Sequence, residues 1–306
     1  MQIIKGGLLT TIQDGGRFGY RNLGIPQSGT MDARARKQAN WLVDNSQDAP
    51  VLECSFWGGI FRFDKRKIIA LTGADMNARL NGEPCEMYRS HEVKPGDVLT
   101  LGYVSAGTRT YIALQGRPDI EVFMGSFSTY TASQFGGFKG RALIAGDSIG
   151  WESKHPKNPN RVLPEYLRPH FSTEKNIIRI VRGPEWEMLS AASQQSFEKL
   201  SYEIHRDSNR MGIRLVGEKM EMKEGFSMVS SATLPGTMQL PSNGQPIVLM
   251  YDGQTTGGYP RIGKVIEVDL GRLAQIPPQG SLRFRIVDEG DARELFLYEN
   301  KKRFTI

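Results

Sequence analysis

The sequence predicts a mainly β fold arranged as two β-rich halves with a few short helices. Glycine is abundant, at 34 of the 306 residues, and this favours a turn-rich β architecture over a helical bundle. Strong turn signals, such as Asn81-Gly82 and Pro95-Gly96-Asp97, separate short apolar runs that are partly β-branched. Long amphipathic stretches are scarce. Many short strands joined by turns are typical of a barrel or a sandwich.

In the first half, residues 1–153, the strand patterns surround one clear helix. Apolar residues recur at helical spacing from Met31 to Val43, and Thr30 is predicted to be the N-cap of this helix. A short strand that begins at Leu8 breaks into a polar glycine turn before the helix. The strands predicted after it are Val51–Phe56, Ile60–Phe63, Ile68–Thr72, Ala78–Leu80, Glu86–Tyr88, Asp97–Gly102 and Thr108–Gln115.

Residues 154–175 are predicted to be a linker, because prolines stand at positions 156, 159, 164 and 169 and the periodicity is weak. In the second half, residues 176–306, helical structure is predicted from Glu185, over Gln195–Leu200 and in one turn near Leu270–Gln275. Strands and loops are expected elsewhere to the C-terminus. The clearest strand patterns of this half are Asn176–Val181, Pro246–Tyr251 and Ile262–Val268.

Composition and charge exclude several classes of protein. The net charge of +6 is mild for this length, and no basic block is long enough to suggest nucleic-acid binding. The two cysteines and four histidines share no ligand spacing, so we expect reduced thiols and no metal site. No run approaches transmembrane length and the N-terminus lacks the apolar core of a signal peptide. We therefore expect a cytoplasmic protein that does not bind membranes.

Two stretches resemble cofactor motifs without their mechanism. Residues 258–265 copy the spacing of a phosphate-binding P-loop, but Val265 stands where a Ser or Thr must hold magnesium, and a strand pattern continues where a helix should begin. Residues 219–223 alternate charge and methionine around Glu221 instead of presenting a lysine between two methionines. We therefore predict no P-loop here and no biotin attached to this chain.

Three polar clusters carry the chemistry that the sequence offers. Each mixes a carboxylate, amide or hydroxyl with glycine turns, and the first two also contain arginine. Arginine can grip a carboxylate or phosphate with two hydrogen bonds, and glycine amides can hold an oxyanion. A buried ion pair or a turn network explains the same residues equally well. The first cluster is Gln13, Asp14 and Arg17; the second is Asn209 and Arg210; the third is Asp252 to Tyr259.

The third cluster is the most unusual of the three. It contains Gln-Thr-Thr-Gly-Gly-Tyr-Pro at residues 254–260 and lies between two strand patterns. Such a loop can bring backbone N–H groups and short side chains against a ligand. A wide hairpin loop whose glycines only permit positive φ is the alternative.

With these residues in view, the chain resembles the KipA family, which also includes the C subunit of 5-oxoprolinase and is known as allophanate hydrolase subunit two. The similarity spans essentially the whole chain, and the family is related to part of the carboxyltransferase domain of urea carboxylase. The motifs that carry it are Thr-Ile-Gln-Asp at 11–14, Gly-Thr-Met-Asp at 29–32, Gly-Ala-Asp at 73–75, Asn-Arg-Met-Gly at 209–212, Gly-Thr-Met-Gln at 236–239 and the string at 254–260.

The resemblance implies a cyclophilin-like β-barrel architecture and two partner subunits, one KipI-like (the B type) and one of the A type. The three together would form an ATP-dependent 5-oxoprolinase, which opens 5-oxoproline to glutamate and uses ATP with magnesium, held partly or wholly on a partner. The isolated chain is then expected to be inactive. One alternative is a carboxyltransferase component that acts with carboxybiotin on urea or a related amide. Another is a non-catalytic KipA-type antagonist that binds a KipI-like kinase inhibitor.

For the enzyme, we expect the three clusters to converge on one concave surface. Arg17 or Arg210 would hold an anionic group, and Asp14 or Asp252 would act as a base or orient an arginine. Thr255 would contact the reacting oxygen. The residues expected to bind substrate are Gln13, Asn209, Gln239, Gln254, Thr256, Gly257, Gly258 and Tyr259.

Overall fold

In the computed structural model, residues 1–152, 159–171 and 176–302 are described, and they form two compact units. The first unit contains Met1–Phe18 and Gln27–Phe171, and the second contains Gly19–Pro26 and the described part of Ser172–Ile306. The second unit therefore includes a short segment from the N-terminal half. Residues 159–171, which lie inside the predicted linker, belong to the first unit, where Leu163 is 3% exposed and packs in a hydrophobic cluster.

The described part of the first unit contains two five-stranded sheets and a two-stranded ribbon, and all their pairings are antiparallel. The sheet orders are β1-β4-β9-β6-β7, β2-β3-β10-β5-β8 and β11-β12. The strands are β1 Gln2–Lys5, β2 Leu9–Gln13, β3 Val51–Ser55, β4 Ile60–Arg62, β5 Lys67–Asp75, β6 Arg79–Leu80, β7 Glu83–Pro84, β8 Ser90–Val93, β9 Val98–Thr100, β10 Ala106–Leu114, β11 Arg117–Pro118 and β12 Trp151–Glu152.

The β2-β3-β10-β5-β8 sheet is buried on both faces, which explains why its strands read as continuous apolar runs. One face, including Leu52 and Ile112, shares a cluster with Phe61 and Leu99 of the other sheet. Along the strands, side chains alternate between the two faces. The second face, including Tyr111, packs against the helix α1, Ala33–Leu42.

The predicted helix of the first half is present, but its N-cap is not Thr30. Asp32 caps α1 by accepting a hydrogen bond from the Ala35 amide at 3.0 Å. The Thr30 hydroxyl instead accepts one from Arg36 Nε at 3.1 Å. The strand predicted at Glu86–Tyr88 is wrong, because the chain turns there and Tyr88 has a φ of 62°. The Tyr88 hydroxyl is buried and donates to the Gly73 carbonyl at 2.6 Å.

The described part of the second unit contains a closed barrel of seven strands in the order β13-β20-β17-β18-β15-β14-β21. Its pairings are antiparallel except for β13 with β21, which is parallel. The mainly β fold with a barrel, predicted from the sequence, is confirmed. The strands are β13 Asn176–Arg182, β14 Tyr202–Ile204, β15 Gly212–Val216, β16 Ser231–Ala232, β17 Thr237–Gln239, β18 Ile247–Leu249, β19 Thr256–Gly257, β20 Arg261–Val265 and β21 Ser281–Ile286; β16 and β19 pair outside the barrel.

Helices of the second unit depart from the sequence predictions at three places. The helical stretch after Glu185 is a 3-10 helix, Trp186–Met188, followed by α2, Ala191–Ser196, and α2 ends before the predicted Leu200. The predicted strand Ile262–Val268 is too long, because α3, Glu267–Gln275, begins two residues after β20. The prediction of strands and loops to the C-terminus misses α4, Glu289–Lys302, whose mixed charged and apolar residues form no clear apolar stripe.

Other 3-10 helices cover Arg21–Leu23 and Glu165–Leu167. None of the helices in the described ranges has the length and hydrophobicity needed to cross a membrane.

A buried carboxylate joins α3 to the barrel. Asp269 is fully buried in the first turn of α3 and accepts hydrogen bonds from Arg179 of β13. The Arg179 backbone amide and Nε donate to Oδ2 at 2.8 and 2.9 Å, and Nη2 donates to Oδ1 at 2.7 Å. These hydrogen bonds with Asp269 raise the pKa of Arg179. The pair therefore ties the helix to the strand that closes the barrel.

We expect Asp269→Asn to lower the free energy of unfolding by about 2–3 kcal/mol, because it removes the charge that compensates Arg179 in a mostly buried pair. Urea unfolding followed by circular dichroism measures this change. Asp291→Asn is the control, since Asp291 is an exposed acid in the first turn of α4. It should change stability by less than about 0.5 kcal/mol. Equal stability of the two variants would contradict the anchoring role of Asp269.

Candidate functional site

The Gln-Thr-Thr-Gly-Gly-Tyr-Pro loop is held in a fixed shape by a two-stranded ladder. Its Thr256 and Gly257 form β19, which pairs with Ser231 and Ala232 of β16. The Thr233 amide donates to the Thr255 carbonyl at 3.0 Å, and the Thr233 hydroxyl donates to the Gln254 carbonyl at 2.6 Å. The exposed residues in the loop are Gln254, Thr256, Gly258 and Tyr259, whereas Thr255 is 9% exposed. The loop is therefore a preformed surface.

The second and third clusters meet in a buried ion pair. Arg210 Nε donates to Asp252 Oδ2 at 2.8 Å, and Nη2 donates to Oδ1 at 3.2 Å. Both residues are at most 6% exposed, and the Asp252 amide also donates to the Arg210 carbonyl at 2.9 Å. Asn209 closes the adjoining turn, since its Oδ1 accepts from the Met211 amide at 2.8 Å. In this geometry Asp252 orients the arginine at the base of the loop.

Two glutamines form the floor of the loop. Gln254 Nε2 donates to Gln239 Oε1 at 3.0 Å, and Gln239 at the end of β17 is 1% exposed. The Gln239 amide lies so close to Gly257 that a Cβ added there would be 2.4 Å from Gln239 Nε2. Gly257 is thus required by this close approach, not by its φ angle. A Cβ on Gly258 would lie 3.3 Å from the Ser230 hydroxyl.

Two arginines outside the three predicted clusters support the same loop. Arg21 Nη2 donates to the Thr233 carbonyl at 2.5 Å, and burial lowers the pKa of Arg21. Arg261 Nη1 donates to the Ala232 carbonyl at 3.0 Å in β16. Arg21 is distant in sequence from the loop and its neighbours give no signal. Arg261 directly follows the string at 254–260, so proximity alone could have identified it.

Arg261 is itself held by Glu185. Its Nη2 donates to Glu185 Oε1 at 2.8 Å, and its Nε and backbone amide donate to Oε2 at 3.0 and 2.8 Å. Burial of Glu185 alone would raise its pKa, but the hydrogen bonds and charge of Arg261 bring that pKa below its usual value. Arg261 therefore links the carboxylate to the strand that supports the loop.

The first cluster lies in the first unit and builds a different loop. Asp14 Oδ1 accepts hydrogen bonds from the Gly16 amide and from the hydroxyls of Ser126 and Ser128, at 2.8, 2.7 and 2.5 Å. Its Oδ2 accepts from the Phe127 amide at 2.6 Å. Four donors thus surround the carboxylate. In this arrangement Asp14 organises residues 126–128.

Gln13 and Arg17 extend this support. Gln13 Nε2 donates to the Thr129 carbonyl at 3.1 Å, and Arg17 Nη2 donates to the Ser128 carbonyl at 2.5 Å. The Arg17 guanidinium lies 4.9 Å from the centre of the Phe135 ring and is 1% exposed. Phe135 and Gly136 line a cavity of about 540 Å³, a volume that accommodates small molecules. Its lining consists of Ile120, Glu121, Phe123, Gln134, Phe135, Gly136, Gly137, Phe138, Lys139 and Gly140.

The structure therefore brings the second and third clusters together through Arg210 and Asp252, and it places Asp14 and Arg17 beside the cavity of the first unit. The convergence of all three clusters on one surface stays a prediction, as do the individual roles of the predicted site residues.

This combination of a two-sheet unit and a barrel unit is the architecture of a carboxyltransferase domain. The crystal structure of the Kluyveromyces lactis urea carboxylase superposes on 99% of the chain with a TM-score of 0.94 and 27% identity. The chain spans 29% of that longer protein.

The family model for the carboxyltransferase domain, subdomain A and B, matches residues 23–286, and the chain belongs to this family. It is 40% identical to the 5-oxoprolinase C subunit of Escherichia coli over 278 residues, which cover 90% of this chain and 88% of that relative. It is 34% identical to the 5-oxoprolinase C subunit of Haemophilus influenzae over 286 residues, which cover 93% of this chain and 90% of the relative. The resemblance to the 5-oxoprolinase C subunit is confirmed.

We expect Glu185→Gln to lower the melting temperature at pH 7. A carboxylate with a lowered folded-state pKa stabilises the fold above its unfolded pKa of about 4.3 and loses this contribution as the pH falls through the lower folded value. The difference in melting temperature between wild type and variant should therefore shrink between pH 5 and about pH 3.

Thermal unfolding across this pH range measures the effect. Glu187→Gln is the matched control, because Glu187 has 69% side-chain exposure and its nearest ion-pair contact with Arg182 is 3.7 Å. A difference that stays constant from pH 7 to pH 3 would contradict the ionic role of Glu185.

Proposed function

We propose that the chain is the C subunit of an ATP-dependent 5-oxoprolinase, which opens 5-oxoproline to glutamate together with partner subunits of the A type and the KipI-like B type. The match that covers 88% of the Escherichia coli relative is the observation that carries this proposal. We place the complex in the cytoplasm. In it, the loop at residues 254–260 binds and orients the cyclic amide.

The residues of the loop suit a small amide. Gln254 and Thr256 are exposed on a loop whose backbone is fixed by Thr233, so substrate binding requires little ordering of the protein. The amide of Gln254 offers both a donor and an acceptor, which match the C=O and N–H of a lactam. Arg210 and Asp252 stabilise the base of the loop.

The residues of this chain do not fit a phosphate cradle at the stretch with P-loop spacing. Arg261–Val265 form strand β20, and the next helix, α3, begins beyond the position where a P-loop helix must start. In the described ranges no group of three or more His, Cys, Asp and Glu residues is placed to hold a metal ion. We therefore assign ATP and its magnesium to the partner subunits.

A second function is carboxyl transfer from carboxybiotin to urea or a related amide. The superposition on the Kluyveromyces lactis urea carboxylase favours it, with a TM-score of 0.94. Biotin would then be attached to another chain. Both functions place a small amide at the same loop, and they differ in the group that reacts with it.

Co-purification with the A-type and B-type subunits, followed by an assay of ATP hydrolysis that depends on 5-oxoproline, tests the proposal. We expect activity when all three subunits are present and none from this chain alone, because it offers no phosphate cradle at the P-loop-like stretch. Robust activity of the single chain would contradict this expectation. A complex that is inactive with 5-oxoproline but carboxylates urea in the presence of carboxybiotin would favour the second function.

In the assembled complex, Gln254→Ala should lower kcat/KM for 5-oxoproline by about a hundredfold, since it removes a hydrogen-bonding group from the substrate surface. Gln195→Ala is the control, because Gln195 is an exposed glutamine in α2. Steady-state kinetics of both variants gives the comparison. Equal kcat/KM values would show that Gln254 does not contact the substrate.

A further inference from the structure

A buried amide beneath the loop has an unused donor. Gln239 is 1% exposed, and its Oε1 accepts the hydrogen bond from Gln254 at 3.0 Å. Its Nε2 has no hydrogen-bond partner among the described residues. The bond from Gln254 fixes which end of the amide is the oxygen, so Nε2 is the end that lies against Gly257.

A second buried donor lies across the same glycine. The Ser231 hydroxyl is shielded from solvent and, within the described part of the chain, has no hydrogen-bond partner. Ser231 stands directly opposite Gly257 in the antiparallel β16–β19 pair. Directly opposed residues project onto the same face, with Cβ atoms about 5 Å apart. Since Gln239 Nε2 occupies the space beside the Cβ position of Gly257, the hydroxyl and the amide flank one face of this glycine.

Two orphaned donors at one place require an explanation, because an unsatisfied buried polar group destabilises a fold. A carbonyl oxygen has two lone pairs and can accept from both donors at once. Both donors are neutral, and Arg261, whose guanidinium donates to the adjacent Ala232 carbonyl, is paired with Glu185. A neutral carbonyl therefore suits this site better than a carboxylate, whose charge is costly to bury without a cation.

We propose that Ser231 Oγ and Gln239 Nε2 form a two-donor site for the carbonyl oxygen of the amide substrate. This inference rests on the proposed function, since it identifies the substrate atom that the loop recognises. Gly257 keeps the site open because any side chain there would collide with Gln239. Ser231 is a substrate-binding residue that lies outside the three clusters predicted from the sequence.

The variants Ser231→Ala and Gln239→Met test the proposal in the assembled complex. Each should raise KM for 5-oxoproline and lower kcat/KM by tenfold or more. Each should also weaken, by at least tenfold, the binding of pyrrolidin-2-one, which has the lactam carbonyl and no carboxylate, as measured by calorimetry. The melting temperature of Ser231→Ala should stay the same or rise, because the removed hydroxyl has no described partner. Ser227→Ala is the control, since Ser227 is exposed and precedes β16.

Several outcomes would overturn the two-donor site. Wild-type KM and wild-type pyrrolidin-2-one affinity in both variants would do so, as would the absence of pyrrolidin-2-one binding to the wild-type complex. Binding of proline that depends on Ser231 would assign the donors to a carboxylate instead. If the wild-type complex lacks 5-oxoproline activity but binds pyrrolidin-2-one through Ser231, the proposed function fails and the carbonyl site stands.

Discussion

Closure of the barrel is the constraint on which the candidate site depends. β13 and β21 are separated by about a hundred residues, yet they pair in parallel from Asn176 with Leu282 to Ile180 with Ile286. A barrel leaves no unpaired edge, so its strands are held from both sides. β17, which carries Gln239, is bonded to β18 and to β20. The floor of the loop is therefore rigid before any ligand arrives.

The sequence could predict the structural features that depend on local patterns. The strand runs of the first half and the helix before Val43 were recognisable because burial on one or both faces sets a short period in the chain. The loop at 254–260 was recognisable because its composition is unusual. Glu86–Tyr88 could not be predicted correctly, since the position of Tyr88 is set by a distant contact with Gly73. α4 was missed because its apolar residues form no clear stripe.

The same distinction separates the site residues that were found from those that were missed. Gln254 and Gly257 lie inside one motif, whereas Ser231 is part of the site only because β16 pairs with β19. Arg21 contacts Thr233 across more than two hundred residues. No spacing rule in a single sequence reports such pairings, because they arise from tertiary structure. Sequence therefore located the loop, and coordinates were needed to identify the residues that support it.

The charges around the loop are used for structure, and this leaves neutral groups for recognition. Arg210 is paired with Asp252 and Arg261 with Glu185, each through two parallel hydrogen bonds to a carboxylate. Such pairs fix geometry at a high desolvation cost. The groups that remain at Gly257 are an amide and a hydroxyl. A surface of this kind discriminates by hydrogen-bond geometry more than by net charge, because a ligand without a carbonyl oxygen leaves both donors unsatisfied. Recognition of a small neutral amide group follows directly from that arrangement.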